Sequence, residues 1–252
     1  MSGLRTMLRY LLPLQVRQSL RHAGRCLADA RSGQDMRVRH VTDADLADFA
    51  LHTEIVQPVQ PSALFENKLM NLTLGARRVS LALLEPGQTW SFWRYVRQPV
   101  EGNGFVVGRN LVDGQLTRQV GGGLCQLSSL IYHLGLTGGL DIHERHAHSI
   151  DIYQEHERFT PLGADATVVW GYKDLRLSNP HADPVVLECF VRDKTLVGRM
   201  YTREKRTPHQ LEFVREPLPD QCVLVHTRVN GQPHTQTRYQ QKQGLGLQPA
   251  RP

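Results

Sequence analysis

Gly121, Gly122 and Gly123 lead, through Leu124, into Cys125 and Gln126, and here the chain has the means for covalent chemistry. Glycines let a backbone take positive φ and approach a ligand closely. After them Leu127, Leu130, Ile131 and Leu134 recur at helical spacing. This predicts a helix over 124–136, closed by Gly138 and Gly139. Cys125 then lies in the first turn of a helix, where the dipole favours thiolate. The unpaired N–H groups of that turn could hold an oxyanion, and Gln126 could add a donor. The same order also suits a buried thiol in a tight strand-to-helix turn, and this stretch alone leaves both readings open.

Residues 141–153 alternate as a strand does, which puts Ile142, Glu144, His146, His148, Ile150 and Ile152 on one face. Polar groups on an inward face need partners, so these two histidines are candidates for a site. Asp165 follows, entering a strand predicted over 166–170. A Cys on a helix, a His on a strand and an Asp on the next is the order of papain-like and transglutaminase-like enzymes. There the imidazole takes the thiol proton and the carboxylate fixes its tautomer. The candidate catalytic residues are therefore Cys125, His148 and Asp165. His146 competes for the base role, and the sequence does not separate the two histidines. Gly121, Gly122, Gly123, Gln126 and Arg145 are candidate ligand-binding residues, although Arg145 could instead pair with Glu144, Asp141 or Asp151. A zinc site made of His146 and His148 with Cys125 or Asp165 is an alternative. No cofactor is expected, and no metal is assigned.

These segments resemble the VanW family, named after vancomycin B-type resistance proteins. The family pattern G-G-G-x-C-Q-x-S is matched by Gly121, Gly122, Gly123, Leu124, Cys125, Gln126, Leu127 and Ser128. E-R-H-x-H is matched from Glu144 to His148, G-x-D-A-T-V from Gly163 to Val168, and D-L-x-x-x-N from Asp174 to Asn179. Upstream, the stretch from Pro86 to Trp93 is similar to P-G-E-T-F-S-F-W, with Gln88 where the family has Glu. That replacement argues against an essential carboxylate at the position. The resemblance runs over roughly residues 1–200. It implies an accessory link to glycopeptide resistance and the cell envelope, and no settled reaction.

The elements that must position these residues read as an α+β fold. A mostly antiparallel sheet over 141–200 is expected to carry the helix after Cys125. A second helix over 67–84 covers another part of it, from the nearly continuous apolar run of Leu69, Leu72, Val79 and Leu83. Thr89 to Trp93 reads as a short aromatic strand, and a turn is expected at Asp113-Gly114. Val223 to Val229 followed by Asn230-Gly231 is a hairpin signal. Three segments follow: a basic helical stretch over 1–40, a core over 41–205, and a C-terminal hairpin and tail over 206–252. The basic helices are expected to lie outside the main body.

Charge is distributed unevenly among these segments. Residues 1–40 carry eight arginines against Asp29 and Asp35, which accounts for the whole net charge of +6. The remainder is neutral and has no basic face for nucleic acid. The basic segment, with Leu4, Leu8, Leu11 and Leu12 on one helical face, could meet an anionic membrane surface or an acidic partner. No apolar run reaches the roughly 18 residues of a membrane span, and the N-terminus does not read as a signal peptide. The expected location is cytoplasmic, peripheral at the membrane. The four cysteines, Cys26, Cys125, Cys189 and Cys222, are far apart and read as free thiols. Two functions remain: a cysteine-dependent hydrolase or transferase acting on a peptide or cell-wall precursor, and a non-enzymatic ligand-binding or scaffold protein.

Overall fold

The computed structural model describes residues 12–33, 36–112 and 115–242. The helix expected around Leu4 and Leu8, the Asp113-Gly114 turn and the tail from residue 243 lie outside the described residues.

The fold is α+β and mostly antiparallel. Its centre is a five-stranded sheet made of β1 (Arg39–His40), β2 (Ala50–Pro58), β3 (Ala82–Leu84), β10 (Val185–Arg192) and β11 (Thr195–Thr202), in the order β1-β3-β10-β11-β2. Every pairing in it is antiparallel. Helix α3 (Phe65–Val79) packs over β10, and α5 (Leu124–Thr137) packs over β11 and β2. The two helices also touch each other. A Cβ on Gly75 of α3 would stand 2.9 Å from Leu124 and Leu127 of α5, so the glycine sets how closely they approach. Leu72, Leu127, Leu130, Leu134, Val185, Leu187 and Met200 are all buried in the shared core.

Helix α3 is shorter than its apolar run. It ends at Val79, and Leu81 takes a φ of 57° before residues 82–84 join the sheet as β3. All three β3 residues are buried, and a run buried on both faces reads alike as helix or strand. The run from Thr89 is also corrected. It forms β4 (Thr89–Ser91) and then turns into α4 (Phe92–Val96), where Ser91 caps the helix by accepting from the Arg94 N–H.

Three smaller units surround this centre. Strands β4, β9 (Arg176–Ser178) and β7 (Asp141–Glu144) form one sheet, and β5 (Val107–Val112) pairs with β6 (Gln115–Val120) in a hairpin. The third unit contains β12 (Leu211–Leu218), β13 (Cys222–Val229) and β14 (Gln232–Gln241). Asn230 and Gly231 make its last turn with φ of 51° and 75°, as an Asn-Gly hairpin requires. Its strand β14 also pairs in parallel with β8 (Ile150–Asp151), which becomes the edge of the sheet, with Gln240 opposite Ile150.

The short α2 (Asp43–Leu46) follows β1. Helix α1 (Leu14–Ser32) starts after Pro13 and has no buried residue. It is nonetheless tied to the body. Arg25 pairs with Glu144, Arg176 holds Asp29 at 2.7 Å, and His22 stacks on Trp170 at 3.9 Å. No described helix is long and apolar enough to cross a membrane.

Candidate active site

The glycine run is built for close chain approach. The buried Asn71 of α3 donates to the carbonyls of Val106 and Gly122 at 3.0 and 2.9 Å, and accepts from the Val106 N–H at 2.9 Å. This clamps residues 121–123 against the start of β5. A Cβ on Gly122 would lie 2.3 Å from the Gly108 carbonyl carbon and 2.7 Å from the Arg109 nitrogen. Gly123 caps α5 at a φ of 104°, a conformation that side-chain-bearing residues rarely adopt. Gly122→Ala must therefore displace backbone. A loss of about 1–3 kcal/mol is expected, read as a lower urea midpoint with the slope unchanged.

Cys125 occupies the first turn of α5, as the sequence indicates. Two serines of the same helix bring the Asp165 segment to it. Ser128 donates to the Ala166 carbonyl at 2.6 Å, and Ser129 accepts from the Ala166 N–H at 3.0 Å. The stretch predicted as a strand over 166–170 is instead extended loop, held by these bonds and by the Thr167 N–H donating to the His146 carbonyl at 2.7 Å. The Thr167 hydroxyl stands 3.6 Å from the Cys125 sulfur.

The expected continuous strand over 141–153 is also corrected. Strand β7 ends at Glu144, residues 145–149 form a loop, and β8 begins at Ile150. The break separates the two histidines. His148 Nδ1 lies 2.8 Å from Asp165 Oδ2, which also accepts the His148 backbone N–H at 2.8 Å. His146 instead turns to Glu144, at 2.9 Å. His148 Nδ1 is thus taken by Asp165, and the imidazole lies near enough to Cys125 for the two groups to act on each other's charge.

Burial opposes charge on all three groups, and their mutual attraction outweighs it. Burial works to lower the His148 pKa, yet its hydrogen bonds to Asp165 and Cys125 raise it well above the ordinary imidazole value. For Cys125, burial works to raise the pKa, and the hydrogen bond and charge of His148 bring it below the ordinary thiol value. Asp165 is likewise held far below the carboxylate range, against burial, by His148, Arg145 and Tyr239. The arrangement favours a thiolate–imidazolium pair backed by a carboxylate.

Arg145 points inward and has its donors taken. It binds Asp165 Oδ1 at 3.0 Å, the Asp165 carbonyl at 2.8 Å and Thr237 at 2.8 Å. None of Glu144, Asp141 and Asp151 is its partner, and the side chain is 9% exposed. This places it as a support for Asp165. Tyr239 of β14, fully buried, donates to Asp165 Oδ1 at 2.5 Å. Sequence reasoning missed Tyr239; the available signal is alternation in β14, which turns Thr237 and Tyr239 to the buried face.

The D-L-x-x-x-N residues do structural work. Asp174 accepts from the Ser91 hydroxyl at 2.7 Å and from the Trp93 N–H at 3.1 Å, and Asn179 donates to the Leu84 and Asp183 carbonyls at 2.9 Å. Among the described residues, no group of three or more His, Cys, Asp and Glu is disposed to hold a metal ion. All four cysteines are unpaired.

Cys125 and His148 line two spaces at once. On one side is a cavity of about 120 Å³ that also contains Lys68, Gly123 and Gln126. On the other is a groove of about 1040 Å³ walled by Trp93, Gly121, Trp170 and Gln18 of α1. Lys68 was not singled out from sequence, because it lies in the apolar pattern of α3 with no motif around it.

The glycine turn, the buried Asp165 and the structural Asp174 all lie within one family-matched stretch, and the chain belongs to the VanW family. The family model described as "VanW like protein" matches residues 67–201. The chain is 31% identical over 157 residues to the vancomycin B-type resistance protein VanW of Enterococcus faecalis, covering 60% of this chain and 57% of that protein. It is 28% identical over 134 residues to the uncharacterized protein YoaR of Bacillus subtilis, covering 53% of this chain and 43% of that one. The chain thus spans about half the length of these relatives. No solved structure matches it.

Proposed function

We propose that this protein is a cysteine-dependent acyl-transfer enzyme, a hydrolase or transferase acting on an amide or thioester. The observation that carries this reading is the Cys125–His148–Asp165 array at the junction of two open spaces. The Cys125 thiolate attacks the carbonyl carbon, forming the S–C bond, and the carbonyl electrons move to oxygen. The Cys125 N–H stabilises that oxyanion, since the neighbouring Leu124 and Gln126 N–H groups already donate to the Gly121 and Gly123 carbonyls. His148 gives its proton to the leaving amine or thiol as the C–N or C–S bond breaks. Water or an acceptor amine then attacks the acyl-cysteine, His148 takes its proton, and the thiolate is released. Asp165 keeps the ring oriented throughout. The name of the Enterococcus relative links it to vancomycin resistance. By extension, the substrate proposed here is a peptide or cell-wall precursor at the envelope.

The test is acylation by p-nitrophenyl acetate, read by intact mass and peptide mapping. One acetyl group on Cys125, absent in Cys125→Ala, is the expected outcome. Acylation spread over the other cysteines, or unchanged in Cys125→Ala, overturns the reading.

A second reading is a non-enzymatic binding protein seated on an anionic surface through α1. It is favoured by Leu20 and Leu27, which are 60% and 52% exposed on that basic helix.

A further inference from the structure

The small cavity beside Cys125 has a positive charge without a counter-charge. Lys68 reaches it from α3 with its stem against the turn before the cysteine: a Cβ on Gly123 would meet Lys68 Cγ at 2.8 Å. Its ammonium faces the Phe159 ring at 6.0 Å. Burial, and then the neighbouring charge of Arg109, bring its pKa down to about 8. The carboxylates on the cavity wall are already engaged. Asp151 is held by Arg158 through two hydrogen bonds of 2.9 and 2.5 Å, and Asp165 by His148, Arg145 and Tyr239. No carboxylate lies within ion-pair distance of Lys68 among the described residues.

Two more polar groups on the same wall are unsatisfied. Gln126 is 3% exposed and donates to the Pro58 carbonyl at 2.9 Å, while its Oε1 is buried without a partner. The Ser62 hydroxyl is likewise buried without a partner. Unpaired buried polar groups are costly. Lys68, Gln126 and Ser62 all line the one small space, and a cation there with an acceptor and a hydroxyl beside it describes the complement of a carboxylate with a nearby N–H. The cavity, about 120 Å³, falls below the roughly 300 Å³ at which drug-sized pockets begin. It accommodates the end of a chain, with the remainder in the groove beyond Cys125.

We propose that this cavity is a carboxylate-recognition subsite, in which Lys68 binds the carboxylate of an amino-acid unit and Gln126 Oε1 accepts its N–H, so that the substrates are carboxylate-bearing peptides or acyl amino acids. The proposal rests on reading Cys125 as the nucleophile, and the test separates the two. Iodoacetate and iodoacetamide deliver the same carbon with and without a carboxylate. The ratio of their rate constants at Cys125 is measured against the same ratio at Cys26, in wild type, Lys68→Met and Lys68→Arg.

The expected wild-type ratio at Cys125 is about tenfold above that at Cys26. It falls to the Cys26 value in Lys68→Met and stays raised in Lys68→Arg. Fast iodoacetamide labelling with no preference for iodoacetate overturns the subsite and leaves the nucleophile standing. Slow labelling by both overturns the nucleophile. The subsite is then judged by calorimetric titration of N-acetylglycine into Cys125→Ser, where binding lost on adding Lys68→Met supports it and no binding overturns it.

Discussion

Replacing His148 with alanine is expected to slow iodoacetamide alkylation of Cys125 at pH 7 by about tenfold or more. An unperturbed thiol of pKa about 8.5 is only a few per cent thiolate at that pH. Burial works to raise the Cys125 pKa, and the hydrogen bond and charge of His148 bring it below the ordinary thiol value, so the wild-type sulfur carries more thiolate than an unperturbed thiol. Part of the gain is offset, because a thiolate of lower pKa is intrinsically less nucleophilic. The pH profile carries the signature. In wild type the rate rises early and stays level while His148 keeps its proton, to a pH well above its ordinary 6.5. In His148→Ala it climbs only through the ordinary thiol range. Cys189 is an internal control, since burial pushes it up to about 12. Equal profiles for the two proteins would remove His148 from the reaction.

The second large effect is on stability. Asp165→Ala is expected to cost about 3–5 kcal/mol, because it leaves the Arg145 guanidinium buried without its counter-charge. Removing the carboxylate also strips acceptors from His148 and from the Tyr239 hydroxyl. The penalty depends on pH in a defined direction. The folded-state pKa of Asp165 is depressed. Its contribution is therefore present above the unfolded value of about 3.9 and is lost as pH falls through the folded one. Urea unfolding at pH 6 and pH 3 should show the gap between wild type and variant narrowing at the lower pH. A gap under about 1 kcal/mol at pH 6 would mean that Arg145 is satisfied without Asp165.

Much of this site was legible because local signals agree with one another. The glycines, the helical spacing after Cys125 and the Asn-Gly turn each specify one backbone path. The two histidines were not separable, because a period of two assumes an unbroken strand. The chain leaves that strand at Arg145, whose guanidinium turns inward to the buried Asp165. Strand β3 was hidden for a different reason: full burial erases the periodicity that distinguishes a strand from the end of α3. Tyr239 and Lys68 reach the site across 74 and 57 residues from Asp165 and Cys125, and no local pattern announces such contacts.

The hydroxyl that Tyr239 offers to Asp165 comes from β14, beyond the end of the family-matched region at residue 201. Synthesis runs from the N-terminus, so Cys125, His148 and Asp165 leave the ribosome well before the strand that completes their support. Until residue 241 has emerged and β14 has docked beside β8, Arg145 and Asp165 lack their closing partners. The hydrogen bonding around Asp165 is therefore completed late in synthesis, by a strand outside the family-matched stretch.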